Sequence, residues 1–355
     1  MKSNRHQAKV VATITVAVVT TAVLSLGVGP AGADPAVAAD SPAESAGYAP
    51  VGRPGPALDV PTAKLAASVE CTANATRATR DVALFVPGTT LTPDEFAWNW
   101  FNALDDLGFP YCAVTLPNNA MTDAQVSAEY VVYAIRHVNR ISGRKVDILG
   151  HSQGGTEPRF ALRFWPDLRQ MVDEYIAFGA TNHGSPLIHA LCPPALGCAP
   201  SLHQQLPNSD YIKAMNSRQE TFPGISYTNI YTRTDEFVQP NLDDTGTSSL
   251  HGGGGRITNV AIQDVCPTDL ASEHIAIATY DPVGYALALD ALTHDGPADP
   301  ARIAPSTCRK AFMPGVNPVT FATDLAALDA TIARELALHP RVQREPAPKP
   351  YVFAD

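Results

Sequence analysis

This chain of 355 residues has no long run of like charge, no internal repeat, no heptad and no paired Cys-x-x-Cys. Fixed-period repeats would mark a solenoid or propeller and heptads a coiled coil, so neither architecture applies. Basic residues are the minority, 25 Lys and Arg against 35 Asp and Glu, for a formal charge of −10. An acidic chain lacks the cationic surface that attracts nucleic acid or anionic lipid electrostatically. Beyond the first 30 residues no stretch is long and apolar enough to span a bilayer.

What is present starts at the N-terminus. Lys2, Arg5 and Lys9 precede an apolar segment, residues 10–29, and "AGA" at 31–33 has the small residues of a cleavage site. Residues 1–33 therefore read as a signal peptide, and no twin arginine accompanies it. Its three basic residues face no acidic ones, so cleavage moves the formal charge from −10 to −13. The expectation is a secreted, extracellular protein with no stable membrane insertion after cleavage.

Six cysteines follow the signal: Cys71, Cys112, Cys192, Cys198, Cys266 and Cys308. An even number in an exported chain reads as three disulfides, with 15 possible connectivities. Cys192 and Cys198 are near enough to close a small loop. Joined with His183, His189 or His203 they would instead suggest zinc, but the oxidising compartment favours the disulfide. No metal and no cofactor are expected.

Residues 34–64 are rich in Pro, Ala and Gly and read as a linker or loosely held arm. From residue 65 short apolar runs alternate with amphipathic ones. Strands are predicted at 81–88, 110–116, 145–150, 172–180, 224–235 and 256–265. Helices are predicted at 95–108, 123–143, from 154, near 275–293 and at 324–339. This alternation implies an α/β fold, a mostly parallel central sheet with helices on both faces. The catalytic domain is placed at 65–315, with a cap or lid segment at 181–224. A C-terminal helix and Pro-rich tail, 316–355, pack on the domain. A monomer is the default.

The chemistry centres on "GHSQG", residues 150–154. G-x-S-x-G is a weak pattern alone, but here it follows a buried-type strand and opens a helix. That context is a nucleophile elbow, with Ser152 on a strained turn above the sheet edge and the Gln153 N–H beside a helix N-terminus.

The nucleophile needs a base and an acid, in chain order Ser, acid, His. His274 follows the last predicted strand and is favoured over His251. Asp235 ends the strand before it. Glu236 is adjacent, but side chains alternate, so one of the two faces the histidine. The second oxyanion donor is placed at Thr89, in "FVPGTTL" after an early strand.

Several ordered segments, "VPGT" (86–89), "NW" (99–100), "DAQVSAEY" (123–130), "SQGG" (152–155), "CAPSLHQQ" (198–205) and "TDEFVQP" (234–240), resemble the Candida antarctica lipase B-like family of α/β-hydrolases, its bacterial members above all. The resemblance runs from about Cys71 to Cys308. It implies the α/β-hydrolase fold, Ser152 as nucleophile, Asp235 as acid and His274 as base. It also implies Thr89 and Gln153 in the oxyanion hole and Gln205 in the acyl pocket. The implied disulfides are Cys71–Cys112 and Cys266–Cys308, which leaves Cys192 to Cys198. His151 stands where the yeast member carries a bulky aromatic, and Thr181 where the family places an aspartate beside the acyl pocket. The Cys192–Cys198 loop has no family counterpart.

The expected activity is that of a secreted serine lipase on carboxylic esters, acylglycerols among them, met at a lipid–water interface. A short-chain carboxylesterase is the alternative, and a non-catalytic binding protein on the same fold a remote one. Phe237 is expected to add apolar wall to the pocket, as is the helix near 275–293; Met215 and Trp165 are expected in the core.

Overall fold

The computed structural model describes residues 47–354. The predicted signal peptide, residues 1–33, lies outside the described residues, as does the start of the 34–64 arm.

Seven strands form one sheet: β1 (Val69–Cys71), β2 (Val82–Val86), β3 (Tyr111–Val114), β4 (Val146–His151), β5 (Val172–Phe178), β6 (Ser226–Tyr231) and β7 (Arg256–Ala261). Their order is β1-β3-β2-β4-β5-β6-β7. Only the β1–β3 pair is antiparallel. The central strands are apolar on both faces because both faces are covered. Val82, Leu84 and Val86 pack under the helices Ala124–Ser142 and Gln153–Phe164. Ala83 and Phe85 pack on the opposite side, with Trp100 and Leu287 of the helices Trp100–Leu107 and Pro282–Thr293. Each fully buried large side chain contributes about 2 kcal/mol from removal of apolar area.

The long helix has the predicted ends. Asp123 accepts from the Gln125 N–H, and Gly143 follows in the left-handed region at φ 65°. The predicted helix 95–108 is broken into Asp94–Ala97 and Trp100–Leu107. Asn99 is the cause. Its side chain caps the second helix and donates to the Glu95 carbonyl at 2.8 Å, a competition with the helix that Asn makes readily. The break turns Trp100 into the core, where its Nε1 donates to the Ala278 carbonyl at 2.8 Å. The helix near 275–293 is likewise split, at Asp281–Pro282, where Asp281 caps the Val283 and Gly284 N–H groups. The last strand stops at Ala261, and Ile262–Val265 begins a helical turn. β1 was not anticipated. It is three residues long and is placed by partners distant in sequence, Cys71 pairing with Cys112.

The six cysteines are joined as Cys71–Cys112, Cys192–Cys198 and Cys266–Cys308, the pairs that the resemblance implies.

The described part of the arm is docked, in contrast to the loose linker read from its composition. The N–H groups of Asp59 and Val60 donate to Glu129 at 2.6 and 2.9 Å, and Trp165 Nε1 donates to the Pro56 carbonyl at 2.9 Å. Prolines leave few N–H groups to satisfy, and those of Ala49, Arg53, Asp59, Val60 and Lys64 find acceptors. After the helix Phe321–Leu338 the tail runs back over the domain. Val342 exchanges backbone bonds with Cys198 at 2.8 and 3.1 Å. Lys349 Nζ reaches Glu129 at 2.7 Å, and Phe353 bridges to Tyr48 of the arm. No described helix is long and apolar enough to cross a membrane.

Candidate active site

Ser152 sits between β4 and the helix Gln153–Phe164 with φ 54° and ψ −122°. Such a conformation costs a non-glycine residue about 1–3 kcal/mol, so its surroundings must impose it. The flanking glycines show how. A Cβ on Gly150 would lie 2.2 Å from the Gly154 carbonyl oxygen, and one on Gly154 would lie 2.2 Å from that of Val86. Only hydrogens allow the helix to start this close to the strand ends.

His274, beyond β7, meets Asp235, beyond β6. His274 Nδ1 lies 2.7 Å from Asp235 Oδ2, and both side chains are buried. Asp235 Oδ1 accepts the N–H groups of Phe237 and Val238 at 2.8 and 2.7 Å, which fixes the carboxylate. With Nδ1 donating to it, the imidazole turns Nε2 free of Asp235. Burial disfavours the charged ring, but the Asp235 charge and hydrogen bond, with Glu236 and Glu273, outweigh burial and hold His274 up at about 9. Glu236 does reach His274, but at its backbone N–H, 3.1 Å away. Gly179, at φ 55°, lies beneath the pair. A Cβ there would come 3.1 Å from His274 Nδ1 and 3.2 Å from Asp235 Oδ2.

A polar cluster lies beside Ser152. The Thr89 hydroxyl donates to Gln153 Oε1 at 2.7 Å. Gln205 Nε2 donates to Thr89 Oγ1 and Gln153 Oε1, at 3.0 and 2.8 Å. Thr181 donates to Gln205 Oε1 at 3.1 Å. Gln153 Nε2 donates to Glu157, whose carboxyl burial pushes up to about 8. The early loop, the elbow and the 181–224 segment are thus tied together.

His151 is also buried. Its Nδ1 contacts Glu95 Oε1, and its Nε2 lies 3.0 Å from the His274 carbonyl oxygen. Glu95 Oε2 accepts the Gly88 N–H at 3.0 Å. Glu95 was not singled out from the sequence.

One cavity gathers Ser152, His274, Thr89, His151, Thr181, Gln205 and Phe237. Asp235 and Gln153 stand behind its wall, held by the bonds above. Apart from Thr90 the remaining wall is apolar, including Leu91, Ile188, Leu191, Leu202, Ile332 and Leu336. Ile332 and Leu336 come from the C-terminal helix, which the sequence reading assigned to packing alone. The helix near 275–293 contributes only its first residue, Ile275; its main part, Pro282–Thr293, is core. Met215 and Trp165 are core as expected. His251 faces the Asp244 carbonyl instead, and His183 pairs with Glu220. Cys192, Cys198 and His203 cluster, but the disulfide removes the thiolates a zinc ion would need.

Comparison with known proteins bears on family and fold. The family model described as Lipase (class 2) matches residues 117–259. Lipase B of Pseudozyma antarctica is 32% identical over 226 residues, 63% of this chain and 65% of that protein. The match thus spans just under two thirds of that relative's length. The crystal structure of Aspergillus fumigatus lipase B matches with a TM-score of 0.76 at 28% identity, over 84% of this chain and 74% of that one. The fold is that of the α/β-hydrolases, and the resemblance to the lipase B group is borne out.

Proposed function

We propose, with kinship to lipase B as the premise, that this protein is an exported serine lipase that hydrolyses carboxylic esters through an acyl-enzyme on Ser152. The observation that carries this reading is the buried Asp235–His274 contact, with His274 and Ser152 both lining one cavity.

His274 Nε2 takes the Ser152 proton as Oγ attacks the ester carbonyl carbon. Asp235 stays ionised, holds the tautomer and stabilises the imidazolium. The negative oxygen is received by the N–H groups of Thr89 and Gln153, and loss of such a donor costs about 3 kcal/mol of barrier in a comparable hydrolase. The tetrahedral intermediate collapses, the C–O bond to the alcohol breaks, and His274 gives its proton to the departing oxygen. Water then repeats the path and releases the acid. No metal or cofactor takes part in this scheme. Gln205 supports it by holding the Thr89 hydroxyl.

A lipase reading needs room for a long acyl chain. A second cavity, of about 170 Å³, adjoins the first and shares Leu191, Leu202 and Leu336 with it. Met121, Ala199 and Leu196 extend the apolar lining. Each methylene buried there contributes about 0.8 kcal/mol. The 181–224 segment acts as the cap, with walls stiffened by Cys192–Cys198 and by the Val342 backbone. Export rests on the sequence of residues 1–33 and on the three disulfides.

The test is hydrolysis of p-nitrophenyl esters from two to sixteen carbons, with Ser152→Ala as the control. Activity that persists to long chains and disappears in the variant supports the lipase. Activity confined to short chains makes it an esterase. Activity that survives in the variant overturns the mechanism.

A further inference from the structure

We infer that Glu95 and His151 form a positioning pair for ester hydrolysis at Ser152: one buried carboxylate holds the oxyanion-side loop through Gly88 and, through His151, the backbone that carries His274. The inference rests on the proposed hydrolase function.

Glu95 shows 0% exposure and His151 1%, so neither can leave a polar atom unpaired cheaply. A carbonyl oxygen only accepts, so the His151 Nε2 that faces the His274 carbonyl must carry hydrogen. At the contact of His151 Nδ1 with Glu95 Oε1, one shared hydrogen would pair both atoms. Whichever atom holds it, the pair is neutral in sum, which makes its burial tolerable. The second carboxylate oxygen of Glu95 accepts the Gly88 N–H, one residue before Thr89.

Two side chains therefore link the Gly88 loop, the end of β4 and the His274 loop. Asp235 fixes the His274 ring, whereas His151 fixes the main chain from which that ring rises. The two imidazoles lie 4.8 Å apart between ring centres. A Cβ on Gly88 would stand 3.0 Å from His151 Nδ1 and 3.5 Å from Ser152 Cβ, so the close approach of these loops needs glycine there. The base of the pair is stiff. Glu95 lies on a short helix whose Phe96 is fully buried, and its carbonyl accepts from Asn99 at 2.8 Å. A displacement near 1 Å of a reacting group can cost about a hundredfold in rate.

The experiment compares kcat, KM and thermal midpoint for the wild type, His151→Phe, Glu95→Ala and Glu95→Gln, each assayed where circular dichroism shows it folded. His151→Phe breaks the link to His274, and Glu95→Ala breaks both links. Each is expected to lower kcat about a hundredfold with KM within threefold. Glu95→Gln keeps an acceptor for Gly88 and offers a donor to His151 Nδ1, so it recovers at least tenfold of the kcat lost in Glu95→Ala. If one disruptive variant fails to fold, the other carries the test. Folded variants with kcat within threefold of wild type overturn the inference, as does a loss confined to KM. A wild type with no Ser152-dependent hydrolysis overturns the hydrolase reading itself, and this pair's role with it.

Discussion

His274 is held to Asp235 at 2.7 Å in a setting that leaves the carboxylate side chain no exposed surface. The proton balance of the site follows from this contact. Its imidazole is held up at about 9, above its ordinary 6.5, so the charged form persists further into alkali than in a free histidine. In the proposed role of base it must be neutral. The expected kcat/KM therefore climbs with pH and reaches half its maximum near pH 9. A half-maximum at or below pH 6.5 in the pH–rate profile would contradict the arrangement.

The same shift has the opposite sign for stability. A raised pKa means that the folded state binds the proton more tightly than the unfolded state. The contribution, on the order of 3 kcal/mol, is complete below about pH 6.5 and is lost as pH rises through about 9. Denaturant unfolding of wild type and His274→Ala should differ most at pH 6 and least at pH 10. A difference that grows with pH would refute it.

Ser152→Ala should lower kcat by about a millionfold, and Asp235→Asn, which permits the wrong tautomer, by about ten-thousandfold. Both variants should keep the wild-type fold by circular dichroism. Comparable activity in either would remove that residue from the mechanism.

Gly179→Ala should be far more damaging than its size suggests. It places a methyl group at φ 55° and, at 2.9 Å from Ile277 Cδ1, well inside van der Waals contact, under the Asp235–His274 pair. The expected result is a loss of more than tenfold in kcat together with a lower melting temperature. Retained kcat would show that the loop yields.

Filling the second cavity tests chain length. Ala199→Phe should leave butyrate esters within about threefold of wild type and lower kcat/KM for laurate and palmitate esters at least tenfold. An equal loss at every length would point to general damage, and no loss to a chain that lies elsewhere.

The disulfides should rank by loop length. Opening Cys71–Cys112, with 41 residues of separation, should cost about 4 kcal/mol, and opening Cys192–Cys198, with 6, about 2 kcal/mol. Paired Cys→Ser variants in denaturant titrations measure both.

How much of this was legible in the sequence depended on how local each signal is. The Ser152 turn is written in five consecutive residues, and the order of strands places Asp235 and His274. The parallel sheet follows from apolar runs buried on both faces. Glu95 escaped because its partners, Gly88 and His151, lie 7 and 56 positions away, and its neighbours Phe96 and Trp98 make the run read as an ordinary amphipathic helix. The broken helix at Asn99 escaped because Asn is tolerated inside a helix when nothing competes for its side chain. β1 escaped because three residues carry no periodicity. The C-terminal helix did offer a signal. Leu328, Ile332 and Leu336 recur every four residues, an apolar stripe that had to cover something. What it covers is the cavity, and no single sequence shows that.

That stripe bears on the order in which the protein is made. Ile332 and Leu336 line the cavity, and Val342 clasps the loop at Cys198. Synthesis runs from the N-terminus, so Ser152, Asp235 and His274 emerge well before the wall they need. The site is finished by residues translated well after its reacting groups. A chain arrested short of residue 332 would carry every proposed reacting group and still lack part of the wall around them.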